Sequence, residues 1–295
     1  MKVLLFILLI VTCSATYGFE IIDDESNIVK FDTTVKRIIS LSPHATELLF
    51  AAGATNQIIA TVSFSDYPEA AKAIPRIGSY KKVDLESVIK LKPDLIVAWK
   101  SGGSLEQVHE LQRLGYKIYF SEPRDFKGVA ENISKFGRML GTENVSTKNA
   151  DKFINELQSL KQKYKALKSV SVFYQVWNMP LMTINNGHLI TNVIEFCGGR
   201  NVFGELSARA PRVSIESVIS RNPQTIIIGM SENRKGWEKE WYKWNALQAV
   251  ERKHVYTVNA DYIVRQGPRI LKGTKQVCEI LENVRNSDKS NKKSN

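Results

Sequence analysis

Residues 83–97 read VDLESVIKLKPDLIV, and residues 213–227 read VSIESVISRNPQTII. At an offset of 130 residues, seven of the fifteen positions are identical: Val, Glu, Ser, Val, Ile, Pro and Ile. Each copy opens on a capping residue, Asp84 or Ser214, whose side-chain oxygen can accept an unpaired amide of the first helical turn. A short amphipathic helix follows, and Pro93 or Pro223 stops it. Next comes a run of apolar, mostly β-branched residues, which reads as a parallel strand buried on both faces. A helix–proline–strand unit used twice implies two similar α/β lobes. Chance matching of apolar positions would not supply the shared Glu-Ser pair and proline.

Between the copies, residues 145–168 read VSTKNADKFINELQSLKQKYKALK, without Gly or Pro. Phe153, Leu157, Leu160, Tyr164 and Leu167 recur at steps of three and four. This pattern predicts one long amphipathic helix of about six turns, placed as the single connector between the lobes. A rigid helical link predicts little relative motion of the lobes. Further short strands are expected at Arg37 to Leu41, Ile58 to Ser63, Ile118 to Ser121, Val170 to Gln175 and Val255 to Val258. Ser42-Pro43 opens a helix with a cap and a proline in its first turn. The fold class is therefore α/β: two mostly parallel-sheet lobes joined by one long rigid helix, with a ligand cleft between them.

The chain has 295 residues, 43% of them apolar and 24% charged, which suits two lobes and a soluble globular protein. Lys2, the apolar run Val3 to Thr12 and small residues at Ser14 to Gly18 have the layout of a secretory signal peptide. Residues 1–18 are taken as that signal, with cleavage after Ala15 or Gly18. A lipid anchor at Cys13 is the alternative, but Thr12 stands where such sites prefer Gly, Ala or Ser. The N-terminal lobe is placed at 19–143, the connecting helix at 144–168 and the C-terminal lobe at 169–284. A disordered basic tail is placed at 285–295. After loss of the signal two cysteines remain, Cys197 and Cys278. In an oxidising compartment they allow a single pairing, the alternative being two separate buried thiols.

The formal charge of +11 falls to +10 when Lys2 is removed (40 basic minus 30 acidic residues). It is scattered, with no Arg-rich stripe interleaved with aromatics, so no nucleic-acid partner is expected. The chain has no G-x-S-x-G, no H-E-x-x-H and no Gly-rich phosphate loop. Its four histidines, His44, His109, His188 and His254, have no metal-ligand spacing. No catalytic residue, no bound metal and no cofactor is therefore expected.

Ligands of open α/β sheets sit beyond the carboxyl ends of the strands. At those exits stand Phe64-Ser65-Asp66-Tyr67-Pro68, Trp99-Lys100-Ser101-Gly102-Gly103, Val176-Trp177-Asn178 and Asp261-Tyr262-Ile263-Val264-Arg265, with Tyr80 just before the first repeat. Tyr67, Tyr80, Trp99, Trp177 and Tyr262 form a wall suited to a large, flat, partly apolar ligand, with Arg265 beside them. His44, at a helix start facing the cleft, is a further ligand candidate; its alternative is a solvated histidine at the cleft edge. Glu86 and Glu216 fall at equivalent positions of the two repeat helices. They can interact favourably with the helix N-termini, and their pairing also suits docking to Arg pockets of a two-fold symmetric partner.

RIISLSPHATELLFAAG, SFSDYP, DLESVIKLKPDLIVAW, EFCGGRNVF, RVSIESVI and RQGPRI together resemble the periplasmic cobalamin-binding proteins of bacterial ABC importers, over roughly Arg37 to Glu282. These belong to a wider group of siderophore, haem and cobalamin receptors. The resemblance implies a periplasmic, monomeric protein that carries cobalamin as cargo to an ABC importer permease dimer. It implies that Tyr67, Trp99 and Arg265 line the corrinoid pocket, with Tyr80 where the family often has Trp. It also implies that Glu86 and Glu216 engage the permease and that Cys197 and Cys278 are bonded. Val176 and Ala210 depart from the aromatic residues of the family, and Phe19 to Lys36 has no clear counterpart. A haem or ferric-siderophore receptor of the same fold is the alternative, with Tyr67, Tyr80 and His44 as candidate iron ligands. An exported enzyme is the alternative of another class.

Overall fold

The structure, a computed structural model, describes residues 18–164, 167–231 and 235–293. Of the expected signal peptide, all but Gly18 lies outside the described residues, as does Cys13.

The N-terminal lobe opens with an antiparallel hairpin, β1 (Phe19–Ile22) and β2 (Ile28–Phe31). No strand had been expected before Arg37. Its turn is organised by Asp23, which accepts the amides of Glu25, Asn27 and, across the lobe, Phe120. Then come β3 (Ile38–Ser40), α1 (Pro43–Ala51) and β4 (Ile58–Thr61). A small hairpin, β5 (Gly78–Ser79) and β6 (Lys82–Val83), leads into α2 (Leu85–Leu91) and β7 (Leu95–Ala98). The lobe ends with α3 (Leu105–Arg113), β8 (Ile118–Phe120) and α4 (Phe126–Leu140). Its sheet is parallel in the order β4-β3-β7-β8.

After α5 (Glu143–Lys163), the second lobe runs β9 (Val170–Gln175), α6 (Leu189–Phe196), β10 (Gly199–Asn201), α7 (Ile215–Arg221) and β11 (Thr225–Met230). It closes with α8 (Trp237–Trp241), α9 (Gln248–Glu251), β12 (Val255–Asn259), α10 (Ala260–Ile263) and α11 (Ile270–Lys293). The sheet is again parallel, in the order β10-β9-β11-β12. The two sheets thus repeat one topology.

The repeat is matched down to its caps. Asp84 accepts the amide of Ser87 and Ser214 that of Ser217, each opening a seven-residue helix. Both helices end on a left-handed residue, Lys92 (φ 45°) and Asn222 (φ 41°), one position before the proline. All of β7 is buried, as is β11 except for Met230.

Two of the expected boundaries differ. The helix between the lobes starts at Glu143 but ends at Lys163, with buried Tyr164 as its cap residue, so it does not reach Lys168. Lys168 is instead held irregular by Arg285, whose Nε–H donates to its carbonyl (2.7 Å). Helix α5 lies along α4, and the approach requires Gly137: a Cβ there would sit 1.8 Å from Ser146 Oγ. The expected disordered tail is helical from Arg285 to Lys293, as the end of α11. No Gly or Pro interrupts it after Gly273, and buried Arg285 anchors it to the carbonyls of Lys168, Cys197 and Gly198.

Cys197, just after α6, and Cys278 on α11 form a disulfide with Cα atoms 4.7 Å apart, and both are fully buried. One hydrophobic core runs from the N-terminal lobe through α4 and α5 into the second lobe, where Phe126 meets Phe196 edge-on with 5.4 Å between ring centroids. Separate cores lie on the outer face of each sheet. The lobes therefore share apolar packing behind the cleft.

Candidate functional site

The carboxyl ends of the two sheets face each other, as the charges that bridge them establish. Arg265, after β12, donates to Asp66 after β4 (2.8 Å) and to Glu47 on α1 (3.2 Å). At the other edge Arg209, after β10, donates to Glu122 after β8 (2.8 Å). Strand β12 thus stands opposite β4, and β10 opposite β8. Of the middle strands, β3 then faces β11 and β7 faces β9, an arrangement consistent with the two-fold repeat.

The N-terminal side of this centre is aromatic. Trp99, at the exit of β7, lies 6.0 Å from Tyr80 and meets His44 edge-on at 5.3 Å. Its loop is shaped to the indole: a Cβ at Gly102 would come within 2.3 Å of the ring. The Trp99 Nε1–H has no hydrogen-bond acceptor among the described residues.

His44 is not the solvated edge histidine that the sequence suggested. It is buried, 3% exposed, with Nε2 3.1 Å from the Ser121 carbonyl, to which the Nε2–H donates. Burial pushes its pKa down to about 4; the Ser121 carbonyl and Glu122 oppose that fall, and Arg265 adds to it. The neutral ring packs edge-on against Trp99. A stability consequence follows with a definite sign. The unfolded chain takes up this proton near pH 6.5, whereas the folded protein refuses it until about pH 4. Stability should fall across that window by on the order of 3 kcal/mol. Urea unfolding at pH 7.5 and pH 4.5 measures the loss, and His44→Asn should reduce it; an unchanged pH slope in the variant would contradict the assignment. His188, whose pKa burial also lowers to about 4, adds in the same direction.

On the other lobe Trp177 is 45% exposed at the exit of β9, and its Nε1–H donates to the Met179 carbonyl (3.0 Å). Trp237, at the start of α8 after β11, meets it edge-on at 5.4 Å. Trp237 was not among the residues expected from sequence; it is the first residue of a Trp-rich stretch, WEKEWYKW, that could have signalled it.

Tyr67 and Tyr262 come together at the bridging charges. The Arg269 guanidinium lies 4.3 Å from the Tyr67 ring centroid and 5.6 Å from that of Tyr262. Glu47, buried at 2% exposure, accepts Arg269 Nε–H (2.9 Å) and Nη2–H (2.6 Å) as well as Arg265 Nη1–H. Arg265 also pairs with Asp261 (2.9 Å), so three carboxylates share its charge. Burial acts to raise the Asp66 carboxyl, but Arg265 outweighs it and holds the group below the usual range. Glu122 behaves alike: burial is offset by the Ser101 amide and hydroxyl and by Arg209. Of these charged residues the sequence singled out Arg265 alone, with Asp66 noted only as part of its segment; Glu47, Glu122, Arg209 and Arg269 were missed.

The cleft-side cations are thus committed. Lys100 pairs with Glu25, and Lys81 lies over the Tyr80 ring at 5.8 Å. The arrangement offers aromatic faces and hydrogen bonds more than free positive charge. Among the described residues no cluster of three His, Cys, Asp or Glu could hold a metal, and no helix is long and apolar enough to cross a membrane.

Glu86 and Glu216 stand apart from these residues, exposed in the first turns of α2 and α7. Neither makes an ion pair with another described residue.

Comparison with known proteins agrees with this architecture. The periplasmic binding protein family matches residues 38–262. A vitamin B12-binding protein of Vibrio vulnificus is 37% identical over 251 residues, covering 85% of this chain and 91% of that protein. The crystal structure of the periplasmic vitamin B12-binding protein of Vibrio cholerae superposes with a TM-score of 0.81 at 34% identity, covering 86% of this chain and 99% of that one. A periplasmic haem-binding protein of Roseiflexus shares the fold at a TM-score of 0.74 and 18% identity, covering 84% of this chain and 98% of that one.

Proposed function

We propose, from the premise that this chain belongs to the periplasmic binding protein family, that it captures cobalamin between its two lobes and delivers it to an ABC importer permease. The relatives and neighbour at 33–37% identity are named for vitamin B12 binding. The observation that carries the reading in this chain is the commitment of Arg209, Arg265 and Arg269 to buried carboxylates beside exposed aromatic faces. An anionic ferric siderophore would need free cations there. A corrinoid, with a broad macrocycle and neutral amide side chains, needs stacking surface and hydrogen-bond partners.

In this reading the protein is a periplasmic monomer that binds its cargo without covalent chemistry and has no catalytic group. Trp99 and Tyr80 stack from one lobe and Trp177 from the other, while Tyr67 and Tyr262 close one end beside Arg265. His44 acts through Trp99, by propping the indole. Of the three candidate iron ligands of a haem receptor, His44 is the one withdrawn, since its Nε2 is engaged by the Ser121 carbonyl.

Trp99→Ala tests the pocket. Cobalamin binding should weaken by roughly 1–3 kcal/mol, with thermal stability and circular dichroism little changed, because one large buried contact is lost. Unaltered affinity in a folded variant would remove Trp99 from the site.

A further inference from the structure

Arg269 is placed where a purely structural cation would not need to be. It immediately precedes α11 in the second lobe, yet its guanidinium is aimed by Glu47 of the first lobe through two parallel hydrogen bonds, Nε–H to Oε2 (2.9 Å) and Nη2–H to Oε1 (2.6 Å). Such a fork fixes the plane of the guanidinium as well as its position. The backbone leaves room for this approach at Gly267, where a Cβ would stand 3.3 Å from Glu47 Oε2. Held in this way, the cation lies 4.3 Å from the ring centroid of Tyr67, which follows β4, and 5.6 Å from that of Tyr262 on α10. Tyr67 remains 40% exposed, so the cation does not bury its side chain. One tyrosine belongs to each lobe.

We propose that Arg269 is a positioning residue: it holds Tyr67 and Tyr262 in fixed orientation, so that rings from opposite lobes form one preset stacking jaw for the ligand. The proposal rests on the cobalamin reading for its ligand, although the placement of the rings can be read without one. Preset rings lose less freedom on binding, and the gain appears as affinity. Glu47 aims the guanidinium, and Arg265 shares the same carboxylate without lying over either ring.

The test separates positioning from charge neutralisation. Arg269→Lys keeps a cation for buried Glu47 but lacks the planar fork. If Arg269 served only to neutralise Glu47, lysine would restore both stability and binding. As a positioning residue it should not be replaceable: Arg269→Lys should stay folded and bind cyanocobalamin about five- to thirty-fold more weakly, the span expected for a lost cation–π placement. In ligand-free protein labelled with 3-fluorotyrosine, the Tyr67 and Tyr262 resonances, assigned with Tyr67→Phe and Tyr262→Phe, should shift or broaden, while that of buried Tyr119 stays put. Glu47→Gln, which leaves the guanidinium present but weakens its aim, should disturb the same two resonances and so decides the matter if the lysine variant folds poorly. Wild-type affinity in Arg269→Lys, or unchanged Tyr67 and Tyr262 resonances in either variant, would overturn the proposal. If the wild type itself fails to bind cyanocobalamin, the ligand reading falls, and the fluorine spectra still decide whether Arg269 sets the rings.

Discussion

Replacing Glu86 and Glu216 together by alanine is expected to abolish cobalamin uptake while leaving cobalamin affinity unchanged. The two carboxylates sit exposed at equivalent positions, one residue into α2 and α7, and both helices are already capped by Asp84 and Ser214. Capping therefore does not require the glutamates, whose interaction with the helix ends is worth only a few tenths to about 1 kcal/mol. A pair of exposed anions without ion-pair partners among the described residues, at equivalent positions of the repeat and carried on lobes that share a core, presents a constant spacing. In the proposed docking, a dimeric permease would offer its cationic pockets at a constant spacing too. Each single change should do less than the double, and complex formation should weaken as salt rises. Transport assays in cells lacking the native receptor, with calorimetry on the purified variants, measure both halves of this expectation. Normal uptake by the double variant would reduce the glutamates to helix-end charges.

The second large effect concerns stability. Breaking the Cys197–Cys278 bond should destabilise the folded protein by about 4 kcal/mol, because the bridge closes a loop of 81 residues and so restricts the unfolded chain. Both sulfurs are buried, and the bridge ties α6 to α11 beside Arg285, whose Nη2–H donates to the Cys197 carbonyl (2.6 Å). Replacing both cysteines by alanine should lower the melting temperature by roughly 10 °C for a chain of this size. Calorimetry of the oxidised protein and the double variant reads this directly, and equal melting temperatures would contradict it. Ligand binding should survive at low temperature, since neither cysteine is near the facing strand ends.

The repeat was legible because it is written in local chemistry: a cap, a seven-residue helix, a stop and a buried strand. The parallel character of the two four-stranded sheets followed from the same alternation, whereas their strand order is seen only in the structure. What escaped was set by contacts distant in sequence. Glu47 and Arg269 are 222 positions apart, and the Ser121 carbonyl that buries His44 is 77 positions from it. Periodicity does not report such pairs, although two arginines four residues apart, Arg265 and Arg269, could have been noticed. The end of α5 failed for a related reason, since Lys168 is claimed by Arg285 of the last helix. The tail looked disordered by composition, yet it continues a helix anchored at that same arginine.

The identity of the cargo is the central claim, and calorimetric titration of the chain from residue 19 onward against cyanocobalamin, haemin and a ferric siderophore tests it most directly. Saturable one-to-one binding of cyanocobalamin at micromolar or tighter affinity, with the other two much weaker, is the predicted result. Saturable binding of haemin or the siderophore, with no detectable heat from cyanocobalamin at micromolar protein, would contradict it.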